Sequence, residues 1–248
     1  MTKKYLFIGG CARSGTSALT KLIGKHHDVV LGMERYNKLC HKMTYSLTKE
    51  HFEKERFFNI EKGDTFYNDF DQMHKYDSDI YHKFDNCKYI GLKYPKIHTI
   101  LDEIKTTFND IKIIFIYRNI FDVANSWNQR AIIGKNWSKE RDYKKAVITW
   151  NRSMRVIRRA INNGYPIICM NYDDVFYSDK SLKPLYDLLD IENDEKTISN
   201  MRERAQIIKT NKKMILNKEE IEYVEENADV GIYEIFNQKF NMLRSTKI

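Results

Sequence analysis

The stretch YLFIGGCARSGTSALTKLI, residues 5–23, constrains the fold more than any other. A short apolar run enters a glycine-bearing turn, which opens into a segment with apolar residues at helical spacing: Ala18, Leu19, Leu22 and Ile23. The pattern predicts a strand over Lys4–Gly10, a loop, and a helix spanning SALTKLIGKHH, residues 17–27. Such a turn offers backbone N–H groups and the positive end of the helix dipole to an anion. Gly10 and Gly15 have the spacing of the phosphate cradle G-x-x-x-x-G-K-[ST]. The lysine slot, however, holds Thr16, and the nearest cation is Arg13, inside the loop. The charge that normally reaches the β- and γ-phosphates of a nucleotide is missing.

The remainder of the chain alternates in the same way. Asp28–Met33 and Tyr89–Leu92 read as short strands, and Ile111–Tyr117, IKIIFIY, as the strongest buried strand. NIFDVANSWNQRA follows as a helix with Ile120, Val123, Ala124 and Trp127 on one stripe. Residues 139–163 form a long amphipathic helix closed by Asn163-Gly164, and Pro166–Asn171 is a further strand. Beyond Asp173 the pattern is mostly helical, whereas residues 35–86 are charged and aromatic without a clear period. Strands alternating with helices imply right-handed crossovers and a parallel sheet. The expected fold is therefore α/β: three layers, a central parallel sheet with helices on both faces, of the P-loop nucleotide-binding type. No internal repeat or linker divides the chain, so residues 1–248 are read as a single domain. Ligands of such sheets bind beyond the carboxyl ends of the strands. Gly9, Arg118 and Tyr172 stand at three of those ends.

Composition removes several classes of function. A hydrophobic content of 42% argues against disorder. No apolar run approaches the roughly 20 residues of a membrane span, and YLFIGG reads as a strand and not as a secretory segment. Cys11, Cys40, Cys87 and Cys169 are scattered, which suggests reduced thiols and a cytoplasmic location. The net charge of +8 carries no nucleic-acid module signature, so an anionic small ligand is the sharper reading and a lysine-rich surface the plainer one. No His, Cys, Asp or Glu cluster has metal-ligand spacing, and a metal-free mechanism is expected.

A second constellation, YRNIFDVANS, ends the strongest strand. Arg118 stands at the strand end, Ser126 lies about two helical turns on, and Arg130 one turn further on the same face. A forked guanidinium with a hydroxyl suits a second phosphate. Two separated phosphate sites, one lacking the cradle lysine, describe a nucleotide phosphorylated at two positions.

These two motifs resemble those of the sulfotransferases that use 3′-phosphoadenosine-5′-phosphosulfate. The family's (K/R)-S-G-T-(T/S) is similar to Arg13-Ser14-Gly15-Thr16-Ser17, and its R-N-P-x-D-V-A-x-S to Arg118–Ser126, with Ile120 in place of proline. The resemblance runs from residue 5 to about residue 175. It implies that Arg13, Ser14, Gly15, Thr16 and Ser17 bind the 5′-phosphosulfate, with Arg13 also acting in catalysis. Arg118, Ser126 and Arg130 would then bind the 3′-phosphate, and Tyr172 of NYDD would lie near the adenine. Glu34, in GMERY, resembles the glutamate base of the carbohydrate and tyrosylprotein types, and Lys93, in LKYP, the lysine that contacts the sulfuryl group. His98 is the rival base. The implied acceptor is a carbohydrate or other small molecule bearing a hydroxyl or amine, and the product is 3′-phosphoadenosine 5′-phosphate. A divergent P-loop kinase or NTPase, and a nucleotide-binding module without catalysis, are the alternatives. The kinase lacks its lysine at Thr16 and its strand-end carboxylate at Tyr117-Arg118.

Overall fold

Apolar runs without a polar face become strands buried on both sides. In IKIIFIY, Ile113, Ile114, Phe115 and Ile116 have no exposed surface. The computed structural model describes residues 3–65, 78–135, 137–210 and 213–244. Five strands, β1 (Lys4–Gly9), β2 (Val29–Met33), β3 (Tyr89–Lys93), β4 (Ile111–Tyr117) and β5 (Ile167–Asn171), form a parallel sheet in the order β2-β3-β1-β4-β5. Helices surround it, as the alternating pattern predicts. By contact density the chain divides into two units, residues 1–9 with 16–114, and residues 10–15 with 115–248.

The first unit holds β1, β2 and β3 with α1 (Thr16–Ile23), α2 (Lys54–Phe58), α3 (Ser78–Lys83) and α4 (Leu101–Thr107). Register aligns Ile8 with Lys93 and Met33 with Lys93, so the three strands end level. Helix α1 stops four residues short of the predicted His27. Lys25 and His26 donate to the carbonyls three residues back, Leu22 and Ile23, and the turn tightens out of the helix at Gly24. The aperiodic stretch after residue 35 buries its aromatics edge to face. Phe52 lies 5.4 Å from Phe108 and 5.9 Å from Tyr36 between ring centroids. That packing comes from short turns, which carry no helical or strand period for sequence reading to detect.

The second unit begins within β4, at Phe115, and holds β5 with α5 (Ile120–Ile133), α6 (Tyr143–Asn162), α7 (Tyr172–Phe176), α8 (Lys183–Leu189), α9 (Glu195–Thr210), α10 (Lys218–Asn227) and α11 (Val230–Ile235). Asn119 caps α5 by accepting from the Phe121 N–H at 2.9 Å. Helix α6 ends at Asn162, and Gly164 takes the left-handed conformation, φ +75°, that the predicted stop requires. Residues 236–244 return to β5: Cys169 and Asn241 form a parallel bridge, and the Met242 N–H donates to the Cys169 carbonyl at 2.9 Å. Arg244 and Asn241 both donate to Asp174 in α7. Among the described residues, no helix is long and apolar enough to cross a membrane.

Candidate functional site

Every strand ends at a candidate residue. The glycine loop follows β1, Glu34 follows β2, Lys93 closes β3, Arg118 follows β4 and Tyr172 follows β5. Two local clusters result, one in each unit.

The cluster of the second unit is cationic. Arg13 donates from Nε to the Ser126 hydroxyl at 2.9 Å, joining two motifs 113 residues apart. Packed atoms around Arg13, and then the charges of Arg130 and Arg118, lower its guanidinium below the ordinary arginine value. Three like charges within mutual influence repel, and an anion relieves that repulsion. Arg13 adopts φ +74° and Gly15 φ +95°. Left-handed non-glycine residues cluster at functional positions because surrounding structure must hold them there. At Gly15 a side chain is excluded outright, since a Cβ would stand 2.2 Å from Cδ2 of Tyr172. Trp127 fixes the loop from α5 by donating to the Ala12 carbonyl at 2.8 Å.

Arg118, the other member of the second motif, makes contacts of its own. Its Nη2 meets Asp122 at 2.8 Å, one helical turn on, and its guanidinium lies 4.0 Å from the Tyr172 ring centre. Among the described residues, the buried Arg118 Nε and the fully buried Ser14 hydroxyl find no hydrogen-bond partner. Unsatisfied buried donors are costly and mark places where a ligand acceptor fits. A cavity of about 300 Å³ beside Arg118 is lined by Asp122, Asp173, Tyr177, Lys209 and Met214. Burial raises the Asp173 carboxyl above its ordinary value despite the nearby Arg118 and Lys209. Sequence reasoning missed Lys209 and Met214, which come from the C-terminal quarter, where no motif distinguishes one lysine from many.

The cluster of the first unit is an acid–base pair. Lys93, buried at 3% side-chain exposure, donates its ammonium to Oε1 of Glu34. The Glu34 N–H donates to the Lys93 carbonyl at 3.1 Å, so backbone and side chain both tie the ends of β2 and β3. Glu34 also adopts a left-handed conformation, φ +58°. Arg35 is buried and donates to the carbonyls of Phe57, Arg56 and Asn59 and, at 2.6 Å, to Asp64. His98, the rival base, is buried in the turn Ile97–Thr99.

Spacing suggests no metal ligands, but the structure brings His26, His27 and Asp28 within ligand reach of one another. Adjacent residues on one turn escape a search for ligands on separate elements. His26 Nδ1 already accepts the Asp28 N–H at 3.1 Å.

Residues 6–195 match the model described as the sulfotransferase family. No curated protein matches the sequence. Among solved structures, sulfotransferase STF9 from Mycobacterium avium is 12% identical, with a TM-score of 0.53 over 97% of this chain and 78% of that one. Sulfotransferase STF1 from Mycobacterium tuberculosis H37Rv is 14% identical, with a TM-score of 0.52 over 93% and 77%. The sulfotransferase domain from the curacin biosynthetic pathway is 16% identical, with a TM-score of 0.51 over 79% and 77%. At these identities the likeness is one of fold.

Proposed function

The chain belongs to the sulfotransferase family, and from that premise we propose that it moves a sulfuryl group from 3′-phosphoadenosine-5′-phosphosulfate to a hydroxyl or amine of a small-molecule or carbohydrate acceptor. The observation that carries this reading is the Arg13–Ser126 hydrogen bond, which joins the two phosphate-binding motifs in one cationic cluster. The unpartnered Ser14 hydroxyl and Arg118 Nε suit phosphate oxygens as acceptors.

In this reading Arg13, Ser14, Gly15, Thr16 and Ser17 hold the 5′-phosphosulfate. Arg118, Ser126 and Arg130 hold the 3′-phosphate, and Tyr172 lies against the adenine. Glu34 takes the proton of the acceptor hydroxyl as its oxygen bonds to sulfur. The bond from sulfur to the 5′-phosphate oxygen breaks, and its electron pair leaves on the nucleotide. Lys93 and Arg13 stabilise the negative charge that develops there. Positioned cations suffice for this charge, so the reading calls for no metal.

Calorimetry tests the nucleotide. 3′-Phosphoadenosine 5′-phosphate is expected to bind with micromolar or better affinity and ATP much more weakly, because Thr16 leaves the γ-phosphate without its lysine. Equal affinities, or Mg²⁺-dependent ATP hydrolysis, would instead favour a kinase or NTPase. Arg118→Ala is expected to weaken binding of 3′-phosphoadenosine 5′-phosphate by about 2–4 kcal/mol. Ser126→Ala removes one hydrogen bond, about 1 kcal/mol. Unchanged affinity in both variants would dismiss the second phosphate site.

A further inference from the structure

The carboxylate of Glu34 is held at both oxygens. Lys93 takes Oε1, and the side-chain amide of Asn37 donates to Oε2 at 2.9 Å. We infer that Asn37 is a positioning residue for the general base, an inference that rests on the base assignment proposed for Glu34. Two donors, one on each oxygen, fix the plane of a carboxylate that has three rotatable bonds between it and the backbone. An ionised carboxylate offers about four lone-pair sites. With two of them filled by protein donors, the free pairs point in one set of directions toward an incoming hydroxyl. Asn37 adds this restraint without adding charge, a task that a second lysine could not perform.

The turn holds Asn37 independently of its contact with Glu34. Arg35 is anchored by its four acceptors. Tyr36 has no exposed surface and donates its hydroxyl to the His51 carbonyl. The two residues between Glu34 and Asn37 are therefore fixed by contacts of their own. The amide is presented before any acceptor arrives, which is what preorganisation requires.

The test measures consumption of radiolabelled 3′-phosphoadenosine-5′-phosphosulfate by the full chain with a panel of simple alcohols, phenols and monosaccharides. Asn37→Ala is expected to lower kcat about tenfold, the scale of one hydrogen bond that orients a reacting group. Affinity for 3′-phosphoadenosine 5′-phosphate and the thermal midpoint are expected to stay at their wild-type values. Asn37→Asp, which swaps the donor for a second carboxylate, should lower kcat further, whereas Asn37→Gln, which keeps the donor, should restore part of the loss. In a Glu34→Gln background, Asn37→Ala should cost nothing more, because the group it orients has already gone. Equal losses from Asn37→Ala in both backgrounds would overturn the inference and leave a merely structural residue. A Glu34→Gln enzyme that retains its rate would overturn the base assignment itself, and the two failures are distinguishable.

Discussion

Glu34→Gln is expected to lower turnover by about 10²–10⁴-fold, the range for loss of a positioned general base. The substitution preserves the shape of the side chain and most of its contacts. A Gln oxygen can still accept from Lys93, and Asn37 can turn its own carbonyl toward the new amide. Glu and Gln tolerate the left-handed backbone at this position equally, so φ +58° adds no difference between them. What disappears is the ability to take a proton. Nucleotide affinity should barely change, because the residues proposed for the phosphates are others. Lys93→Ala should also slow turnover, through lost charge stabilisation, and it leaves the Glu34 carboxylate short of a donor. Single-turnover measurements with saturating donor separate chemistry from binding in both variants. A Glu34→Gln enzyme with near-normal turnover would remove the base assignment and direct attention to His98.

The second large effect concerns stability. Asp64 is 2% exposed. It accepts from Arg35 at 2.6 Å, from Arg56 at 2.6 and 2.9 Å, and from the Glu61 N–H at 3.0 Å. Replacing it by Ala leaves the buried Arg35 guanidinium without its counter-charge and Arg56 with only the exposed Glu61, 3.4 Å away. Loss of one partner of a buried pair typically costs about 3–5 kcal/mol, and that is the expected fall in unfolding free energy. Burial alone would raise this carboxyl, but the hydrogen bonds from Arg56, Arg35 and the Glu61 N–H overturn that and hold it at about 2. A folded-state value below the unfolded one gives stability that is present above the unfolded value, near 4. It is lost as pH falls through the folded value. The contribution is about 2–3 kcal/mol at neutral pH. Urea unfolding at neutral pH and again near pH 2 should therefore show the gap between wild type and Asp64→Ala narrowing on acidification. Equal urea midpoints at neutral pH would show that Asp64 anchors nothing. The same latch holds Arg35, the residue next to Glu34, so partial loss of activity in the folded fraction is also expected.

The strand-end residues, Glu34 and Lys93 included, were open to sequence reasoning, and the groups that hold them in place were not. Arg13, Gly15, Arg118 and Ser126 announce themselves because a glycine turn and a strand-end arginine occur in fixed local contexts, next to β1 and β4. The alternation of apolar runs likewise locates all five strands to within a residue or two. Pairings across long separations are another matter. Spacing shows that Ser126 and Arg118 lie in one motif, but it carries no sign that Ser126 meets Arg13 or that Arg118 meets Asp122. Asn37 and Asp64 sit in the stretch whose order comes from buried aromatics and a five-donor arginine. Neither device has a period. Lys209 reaches its cavity from a helix that resembles any other basic surface helix until its tertiary position is known.

The return of residues 236–244 to the sheet has a bearing on the life of the molecule outside catalysis. β5 is the last strand of the sheet, and a last strand is an open invitation to a stranger's backbone. Asn241 takes the place opposite Cys169 that an intruding strand would need, and its side chain, with Arg244, is fastened to Asp174 beyond the strand end. The chain thus occupies its own vulnerable flank with its own tail.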